Sequence, residues 1–239
     1  NGTQLSIAIV DSSGVNYYGA VRKGDTLLTM DNENRVFEIG SLSKVFTSAI
    51  MGDLADRNRL KIEQPIRSHL GISMHDGSRI TFKQLSNHTS GLPRVPDGFI
   101  WESLWHLDNP YKDYDDAKLR DYIENEIELI SEPGEKYRYS NIGAGILGYV
   151  LTVVEAKDYE QLFQEVIAVP FGMYRSTTVR DSVNRYLVSG LTKRGNIAEN
   201  WDFGALKGAV AILSTAKDLS RFIIANFDEE NEALKLQRK

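Results

Sequence analysis

Apolar and polar positions alternate near the start of the chain, a pattern that predicts β-strands. Residues 5–10 form a mostly apolar segment, residues 11–14 have a turn sequence, and residues 15–21 supply the second strand of a predicted hairpin. A further short apolar segment, residues 36–39, follows the polar loop 31–35. We therefore expect an antiparallel sheet in this part of the chain.

From residue 43 onward, apolar positions recur mainly at helical spacing. The clearest case is residues 43–57, where they fall on Val45, Phe46, Ala49, Ile50, Leu54 and Ala55. Further helices are predicted over residues 81–87, 115–130, 142–154, 159–166 and 215–227, the last with Ser214 or Thr215 as its N-cap. Strands followed mainly by helices indicate an α/β protein of the α+β type. We expect one domain over residues 1–239, with an antiparallel sheet covered by helices and a loop-rich, mostly helical region over about residues 60–200.

Composition excludes several classes of function. The 239 residues are 41% hydrophobic and 26% charged, which is typical of globular proteins. A net charge of −5 and the lack of a Lys/Arg run argue against nucleic-acid binding, and no apolar stretch approaches the roughly 20 residues of a membrane span. Without cysteine there is no disulfide, thiolate or Cys-bound metal, and His69, His75 and His106 lack paired metal-ligand spacing. We expect no cofactor.

Ser41 and Lys44 form the first candidate for chemistry. If a helix begins at or just before Ser41, the two side chains lie on one face, separated by a rise of about 4.5 Å. The hydroxyl can then donate to a neutral amine, and the apolar neighbours of Lys44 lower its pKa by desolvation. Ser-x-x-Lys also arises by chance as an ordinary helix start with a solvated lysine, so the motif alone does not identify a nucleophile.

Tyr139 and Asn141 form the second candidate. Residues two apart in extended backbone point to the same side, so a phenol that passes a proton would face the same space as an amide. That amide could bind Lys44 or a substrate carbonyl. The alternative is a loop tyrosine packed on the core, followed by an asparagine that caps the next helix.

Two further patterns admit more than one interpretation. Glycines in residues 143–148 match the dinucleotide fingerprint, and Glu165 follows at a suitable distance, but no buried strand precedes them. We expect these glycines to let helices pack closely instead. Phe99, Trp101 and Trp105 either line a substrate cleft or cap the helical region.

Three segments that occur in order change the interpretation of the two candidate motifs. They are residues 37–47 (FEIGSLSKVFT), 85–93 (LSNHTSGLP) and 133–141 (PGEKYRYSN). Together they resemble the serine β-lactamase-related family, which includes class C β-lactamases, D-Ala-D-Ala carboxypeptidases and esterases, and the resemblance covers about residues 5–227. It implies a β-lactamase/transpeptidase-like fold. It also implies a serine hydrolase that forms an acyl-enzyme with a β-lactam, a D-Ala-D-Ala peptide or a small ester.

The resemblance assigns a role to each candidate residue. It implies that Ser41 is the acylated nucleophile and Lys44 its activating base, that Tyr139 relays the proton to the leaving group, and that Asn141 orients Lys44 and the substrate. The Ser41 backbone N–H is implied as one oxyanion-hole donor. His88 lies in a stretch that looks structural in this family, and a Ser-His-Asp triad is not expected.

One signature of the family is missing. The resemblance implies a Lys-Thr-Gly or His-x-Gly sequence on a late strand that supplies the second oxyanion donor. Residues 193–195 (KRG) fall where a loop or hairpin is expected, and residues 75–77 (HDG) fall too early. Family members continue beyond Lys239 with further strands, so we expect an incomplete sheet and either a piece of a longer protein or a shortened relative. Such a chain should be weakly active or inactive alone and should self-associate along its unpaired hairpin edge.

A different class of function stays open beside the hydrolase. A non-catalytic family member would bind a peptide or protein partner in the former cleft, which the missing signature favours and the presence of all four candidate residues opposes. The resemblance implies a periplasmic or extracellular location, although a chain without cysteine equally suits the cytosol.

Overall fold

A small antiparallel sheet is followed mainly by helices. The computed structural model describes residues 2–76, 79–96, 109, 111–192 and 194–237. The strands are β1 (Gln4–Asp11), β2 (Gly14–Lys23), β3 (Thr26–Thr29), β4 (Phe37–Glu38) and β5 (Leu213–Ser214). The α-helices are α1 (Ser43–Asp56), α2 (Arg67–Leu70), α3 (Phe82–Ser86), α4 (Asp116–Asp121), α5 (Asn141–Glu155), α6 (Tyr159–Phe163), α7 (Lys207–Val210), α8 (Ala216–Asn226) and α9 (Glu232–Gln237). This order confirms the predicted α+β class.

The first three strands form a sheet in the order β1–β2–β3, which confirms the predicted hairpin. Among the described residues, β1 pairs only with β2, so its other edge is unpaired, in agreement with the expected incomplete sheet. Leu5, Ile7 and Ile9 on β1 point away from the rest of the molecule and are 57%, 39% and 49% exposed. Helix α8 lies against the opposite face, where the Tyr17 and Ser220 hydroxyls are 2.9 Å apart.

A second, two-stranded sheet anchors the chain directly before α1. Strand β4 pairs antiparallel with β5, and the Ile39 N–H donates to the Ile212 carbonyl at 3.2 Å. The Ile212 N–H in turn donates to the Ser43 hydroxyl, at 3.0 Å, in the first turn of α1. Residues far apart in sequence therefore hold the start of α1 in place.

Helix α1 confirms the helix predicted over residues 43–57 and forms the centre of the core. Phe46, Ile50 and Leu54 are almost fully buried on one side of it. The Phe46 ring packs against the rings of Phe163 and Phe222, at centroid distances of 5.8 and 4.6 Å. The packing joins α1 to α6 and α8, and edge contacts between such rings stabilise the arrangement beyond their buried area.

The helix predicted over residues 115–130 is shorter in the structure. Asp115 caps α4 by accepting a hydrogen bond from the Lys118 N–H at 2.9 Å, but the helix continues only as a π-helical turn, Tyr122–Glu126. Ile127 then takes an extended ψ of 119° and is fully buried. The chain leaves the helix there, and the Ile130 N–H bonds to the Gly91 carbonyl at 2.9 Å.

The glycines of α5 serve helix packing, as the sequence predicts. A Cβ atom placed on Gly148 would lie 2.9 Å from the Gly208 Cα, and one on Gly145 would lie 2.3 Å from a Leu206 side-chain carbon. These contacts let α7 and the turn before it approach α5 more closely than larger residues would allow. Glu165, the acidic residue that follows the glycines at a suitable distance for the dinucleotide fingerprint, pairs with Lys157. No helix in the described ranges is long and apolar enough to span a membrane.

Replacing Gly148 with alanine should destabilise the protein, although alanine is the better helix former by about 1 kcal/mol. The added methyl would meet the Gly208 backbone, and overpacking of this kind typically costs about 1–3 kcal/mol. Urea denaturation should show a lower free energy of unfolding for Gly148→Ala. Val153→Ala, on the more exposed side of the same helix, is the control and should change it by less than about 0.5 kcal/mol. Equal stability of Gly148→Ala and the wild type would contradict this packing.

Candidate active site

Ser41 lies in a short turn directly before α1 and not in the helix itself. The turn is a 3₁₀ segment, Gly40–Leu42, and α1 begins at Ser43, as the helix predicted over residues 43–57 does, so the condition that this helix begins at or before Ser41 is not met. Gly40 has a φ of +54°, a left-handed conformation that glycine adopts without a steric penalty. The turn leaves the Ser41 side chain exposed.

Lys44 lies beside the Ser41 hydroxyl and is partly removed from water. Its Nζ atom is 3.3 Å from Ser41 Oγ and donates a 2.8 Å hydrogen bond to the Ala209 carbonyl of α7. Burial is the main cause that lowers the pKa of Lys44, and the charge of Arg94 lowers it further, whereas contact with Tyr139 acts in the opposite direction. The net effect favours the neutral amine, which is the form that can accept a proton.

Tyr139 approaches Ser41 from the other side. Its hydroxyl donates to Ser41 Oγ at 2.7 Å, and its ring centroid is 4.9 Å from Lys44 Nζ and 5.4 Å from the Arg94 guanidinium carbon. Burial, the largest single influence, raises the pKa of Tyr139, but hydrogen bonds with Lys44 and Ser41 and the charges of Lys44 and Arg94 outweigh it. The pKa therefore lies below its ordinary value.

Asn141 is close to this group, but the structure places it differently from the expectation. It is the first residue of α5, which Ser140 caps by accepting from the Gly143 N–H at 2.8 Å. The Asn141 side chain is buried beside Tyr111, and its Oδ1 atom has no hydrogen-bond partner among the described residues. Within the same residues, Lys44 is held by the Ala209 carbonyl and not by Asn141.

The positions of Lys44 and Ala209 depend on a residue that the sequence analysis did not single out. Thr47, fully buried one turn after Ser43, donates from its hydroxyl to the Gly208 carbonyl at 2.6 Å. The Tyr159 hydroxyl lies 2.6 Å from the same Thr47 atom. Thr47 thus fastens α7 to α1. A polar residue among the apolar positions of a core helix was the only available signal for it.

His88 packs against Tyr139, and among the described residues it has no hydrogen bond to Ser41. Its ring centroid is 4.6 Å from that of Tyr139, and its Nδ1 atom accepts from the Ser140 N–H at 3.3 Å. Burial lowers the pKa of His88, and the charge of Lys44 lowers it further. The neutral imidazole is therefore favoured near neutral pH.

None of the remaining sequence candidates that lie in the described residues is bonded to Ser41, Lys44 or Tyr139. No set of three His, Asp or Glu residues in the described part of the chain could hold a metal ion. Near the sequence KRG, the Gly195 N–H bonds to the Thr192 carbonyl at 2.8 Å, whereas Lys193 lies outside the described residues. Phe99, Trp101 and Trp105 also lie outside them.

Comparison with known proteins gives consistent results. The Beta-lactamase family model matches residues 5–239. A D-alanyl-D-alanine-carboxypeptidase/endopeptidase, AmpH of Escherichia coli K12, is 27% identical over 234 residues, covering 92% of this chain and 56% of the relative.

Solved structures show the same fold. The D-alanine carboxypeptidase AmpC from Burkholderia cenocepacia superposes with a TM-score of 0.77 at 24% identity, covering 99% of this chain and 62% of that one. An octameric penicillin-binding protein homologue from Pyrococcus abyssi gives a TM-score of 0.79 at 20% identity, covering 100% of this chain and 56% of that one. The chain spans less than two thirds of the length of these proteins.

Replacing Arg94 with glutamine should raise the pKa of Lys44, because one of the charges that disfavours the ammonium is removed. The neutral amine would then become available only at higher pH. The pKa can be followed by NMR of ¹³C-labelled lysine, and Arg94→Lys, which keeps the positive charge, is the matched control. The same Lys44 pKa in the glutamine and lysine variants would contradict the electrostatic role given to Arg94.

Proposed function

Because the chain belongs to the β-lactamase family, we propose that it is a serine hydrolase whose Ser41 forms an acyl-enzyme with an amide or ester substrate. The observation that carries the proposal is the convergence of two groups on one hydroxyl. Lys44 Nζ lies 3.3 Å, and the Tyr139 hydroxyl 2.7 Å, from Ser41 Oγ. A nucleophile within reach of both a base and an acid is the arrangement that acyl transfer requires.

Acylation assigns one step to each group. Neutral Lys44 takes the Ser41 proton as Oγ attacks the substrate carbonyl, and the Ser41 backbone N–H donates to the oxyanion that develops. Tyr139 gives its proton to the leaving nitrogen or oxygen as that bond breaks, and Lys44 returns a proton to the phenolate. Water then attacks the acyl-enzyme by the same route in reverse and releases the acid.

The electrostatics of the site support these roles. A base must be neutral before it can accept a proton, and partial burial lowers the pKa of Lys44 in that direction. The acid must give up its proton readily, and against the effect of burial the hydrogen bonds with Lys44 and Ser41, together with the charge of Arg94, lower the pKa of Tyr139. Each group is thus shifted toward the form that its step consumes or produces.

Asn141 fits a substrate-binding role better than the orientation of Lys44. Its buried Oδ1 lacks a partner among the described residues, and a buried acceptor left unpaired costs free energy. A substrate N–H that donates to this oxygen would remove that cost. We therefore assign Asn141 to substrate orientation.

The substrate class follows from relatives and is part of the same proposal. AmpH bears the name of a D-alanyl-D-alanine-carboxypeptidase, and other relatives are named β-lactamases. We expect a D-Ala-D-Ala peptide, a β-lactam or a small ester, and a periplasmic or extracellular location. A second oxyanion donor is expected from outside the described residues.

Covalent labelling with a fluorophosphonate or a penicillin should add one adduct, and peptide mapping should place it on Ser41. Ser41 is the hydroxyl that both Lys44 and Tyr139 reach. Ser41→Ala should abolish labelling while its free energy of unfolding changes by no more than about 0.5 kcal/mol, because the side chain is exposed. An adduct on Ser43, Ser90 or Ser140 would refute the assignment. No adduct with either reagent would favour a non-catalytic protein that binds a peptide or protein partner.

Substitution of the acid, Tyr139, should slow the reaction, whereas substitution of the base, Lys44, should abolish acylation. Tyr139→Phe should slow acylation or deacylation by about 10²–10⁴, the range for one positioned acid–base group. Lys44→Arg should abolish acylation because guanidinium stays protonated. In the wild type the acylation rate should rise with pH through a Lys44 pKa below its ordinary value. An unchanged rate in Tyr139→Phe, measured by stopped-flow hydrolysis of a chromogenic substrate, would remove Tyr139 from the mechanism.

Self-association through β1 is a further part of the proposal. Leu5, Ile7 and Ile9 form an exposed apolar row beside an edge that is unpaired among the described residues, and one structural relative is described as octameric. Analytical ultracentrifugation of the chain should show association that Ile7→Lys weakens. A wild-type chain that stays monomeric throughout the micromolar range would contradict this part.

A further inference from the structure

His88 occupies a backbone position that is normally reserved for glycine. Helix α3 ends in a Schellman motif, in which the Thr89 N–H bonds to the Gln84 carbonyl at 2.9 Å. His88 is the residue that reverses the chain there, with a φ of +61°. Residues with a Cβ atom are uncommon in this conformation, although asparagine, aspartate and histidine occur in it several-fold more often than the others. The histidine at this point adds an interaction that glycine could not make.

The imidazole makes that interaction with the segment that carries Tyr139. Its Nδ1 atom accepts from the Ser140 N–H at 3.3 Å, its ring lies against the Tyr139 ring, and its edge faces Tyr137 at a centroid distance of 5.9 Å. The His88 carbonyl also accepts from the Arg138 N–H at 2.7 Å. The residues before and after Tyr139 are therefore both bonded to His88.

Ser140 is the link between the proposed acid and the helix behind it. Its hydroxyl already accepts from the Gly143 N–H and donates to the Pro93 carbonyl, at 2.8 and 2.6 Å. Its carbonyl accepts from the Ala144 N–H at 3.4 Å, and its backbone N–H donates to His88 Nδ1. A shift of this peptide would move the Tyr139 hydroxyl relative to Ser41.

Only an unprotonated Nδ1 can accept this hydrogen bond. The groups that face His88 are Lys44 from α1, the rings of Tyr137 and Tyr139, and, across the Tyr139 ring, Arg94. Burial, together with the charge of Lys44, lowers the pKa of His88 and so disfavours a charged imidazole. The surroundings therefore keep His88 in the form that the contact with Ser140 requires.

We propose that His88 is a positioning residue, whose neutral imidazole fixes the Ser140 peptide and thereby holds the Tyr139 hydroxyl at hydrogen-bond distance from Ser41. This inference rests on the proposed function of Tyr139 as the proton relay. His88 does not itself exchange protons with the substrate, because no hydrogen bond joins it to Ser41 among the described residues.

The test compares His88→Gly with His88→Asn in the longest available form of the protein. Both residues tolerate the left-handed backbone, but only asparagine offers an acceptor, Oδ1, near the position of Nδ1. Two quantities are measured: the acylation rate constant with a chromogenic cephalosporin or a p-nitrophenyl ester, and the hydrogen exchange of the Ser140 amide by NMR.

His88→Gly should lower the acylation rate constant by about 10- to 10²-fold, which is the effect of a small misplacement of a catalytic group. The substrate concentration that gives half the maximal rate should change little. Its Ser140 amide should exchange faster than in the wild type. His88→Asn should keep the amide protected and restore most of the rate. Equal rates in the two variants, or an unprotected Ser140 amide in the wild type, would overturn the proposal. If the wild type forms no acyl-enzyme, the proposed function fails, and the exchange comparison still decides whether His88 holds this N–H.

Discussion

The site depends on an amine that is held partly out of water between a serine hydroxyl and a backbone carbonyl. Lys44 loses hydration at this position, which disfavours its charged form. The hydrogen bond to the Ala209 carbonyl offsets part of the free-energy cost of burying the amine. That carbonyl belongs to α7, so α7 must lie close to α1. Thr47 of α1 donates a hydrogen bond to the Gly208 carbonyl of α7, and the close contact between Gly148 and Gly208 packs α5 against α7. The close packing of α1, α5 and α7 is therefore needed to hold Lys44 in this position.

The second half of the site has a different architecture. Tyr139 lies on an irregular segment, and its position is set by peptide hydrogen bonds to the turn after α3 and by the cap of α5. Loops held in this way can place a side chain as well as a helix does, provided that their polar groups are paired. Arg94, and Lys44 once it has taken the Ser41 proton, flank one phenol ring and make the site locally cationic in a chain whose net charge is −5. Positive charge here favours the anionic oxygen that acyl transfer produces.

Sequence patterns predicted the hairpin, the main helices and the proximity of Ser41, Lys44 and Tyr139. They missed features that depend on backbone conformation or on distant atoms. Gly40 turns the chain through a 3₁₀ segment that carries Ser41, and the helix from Asp116 ends early because Ile127 is buried in extended conformation. The expected contact between Asn141 and Lys44 is replaced by the Ala209 carbonyl, which lies 165 residues from Lys44 in sequence. A backbone carbonyl carries no side-chain signal, so local spacing could not have identified it.

The most direct test of the account is a crystal structure of the protein with an arylboronic acid, whose boron forms a tetrahedral adduct with an activated serine. We expect a bond from boron to Ser41 Oγ, with Lys44 Nζ and the Tyr139 hydroxyl both within hydrogen-bond distance of the adduct. Boron attached to a different side chain, or an adduct on Ser41 with Lys44 and Tyr139 turned away from it, would contradict the claim that these two groups act on this hydroxyl.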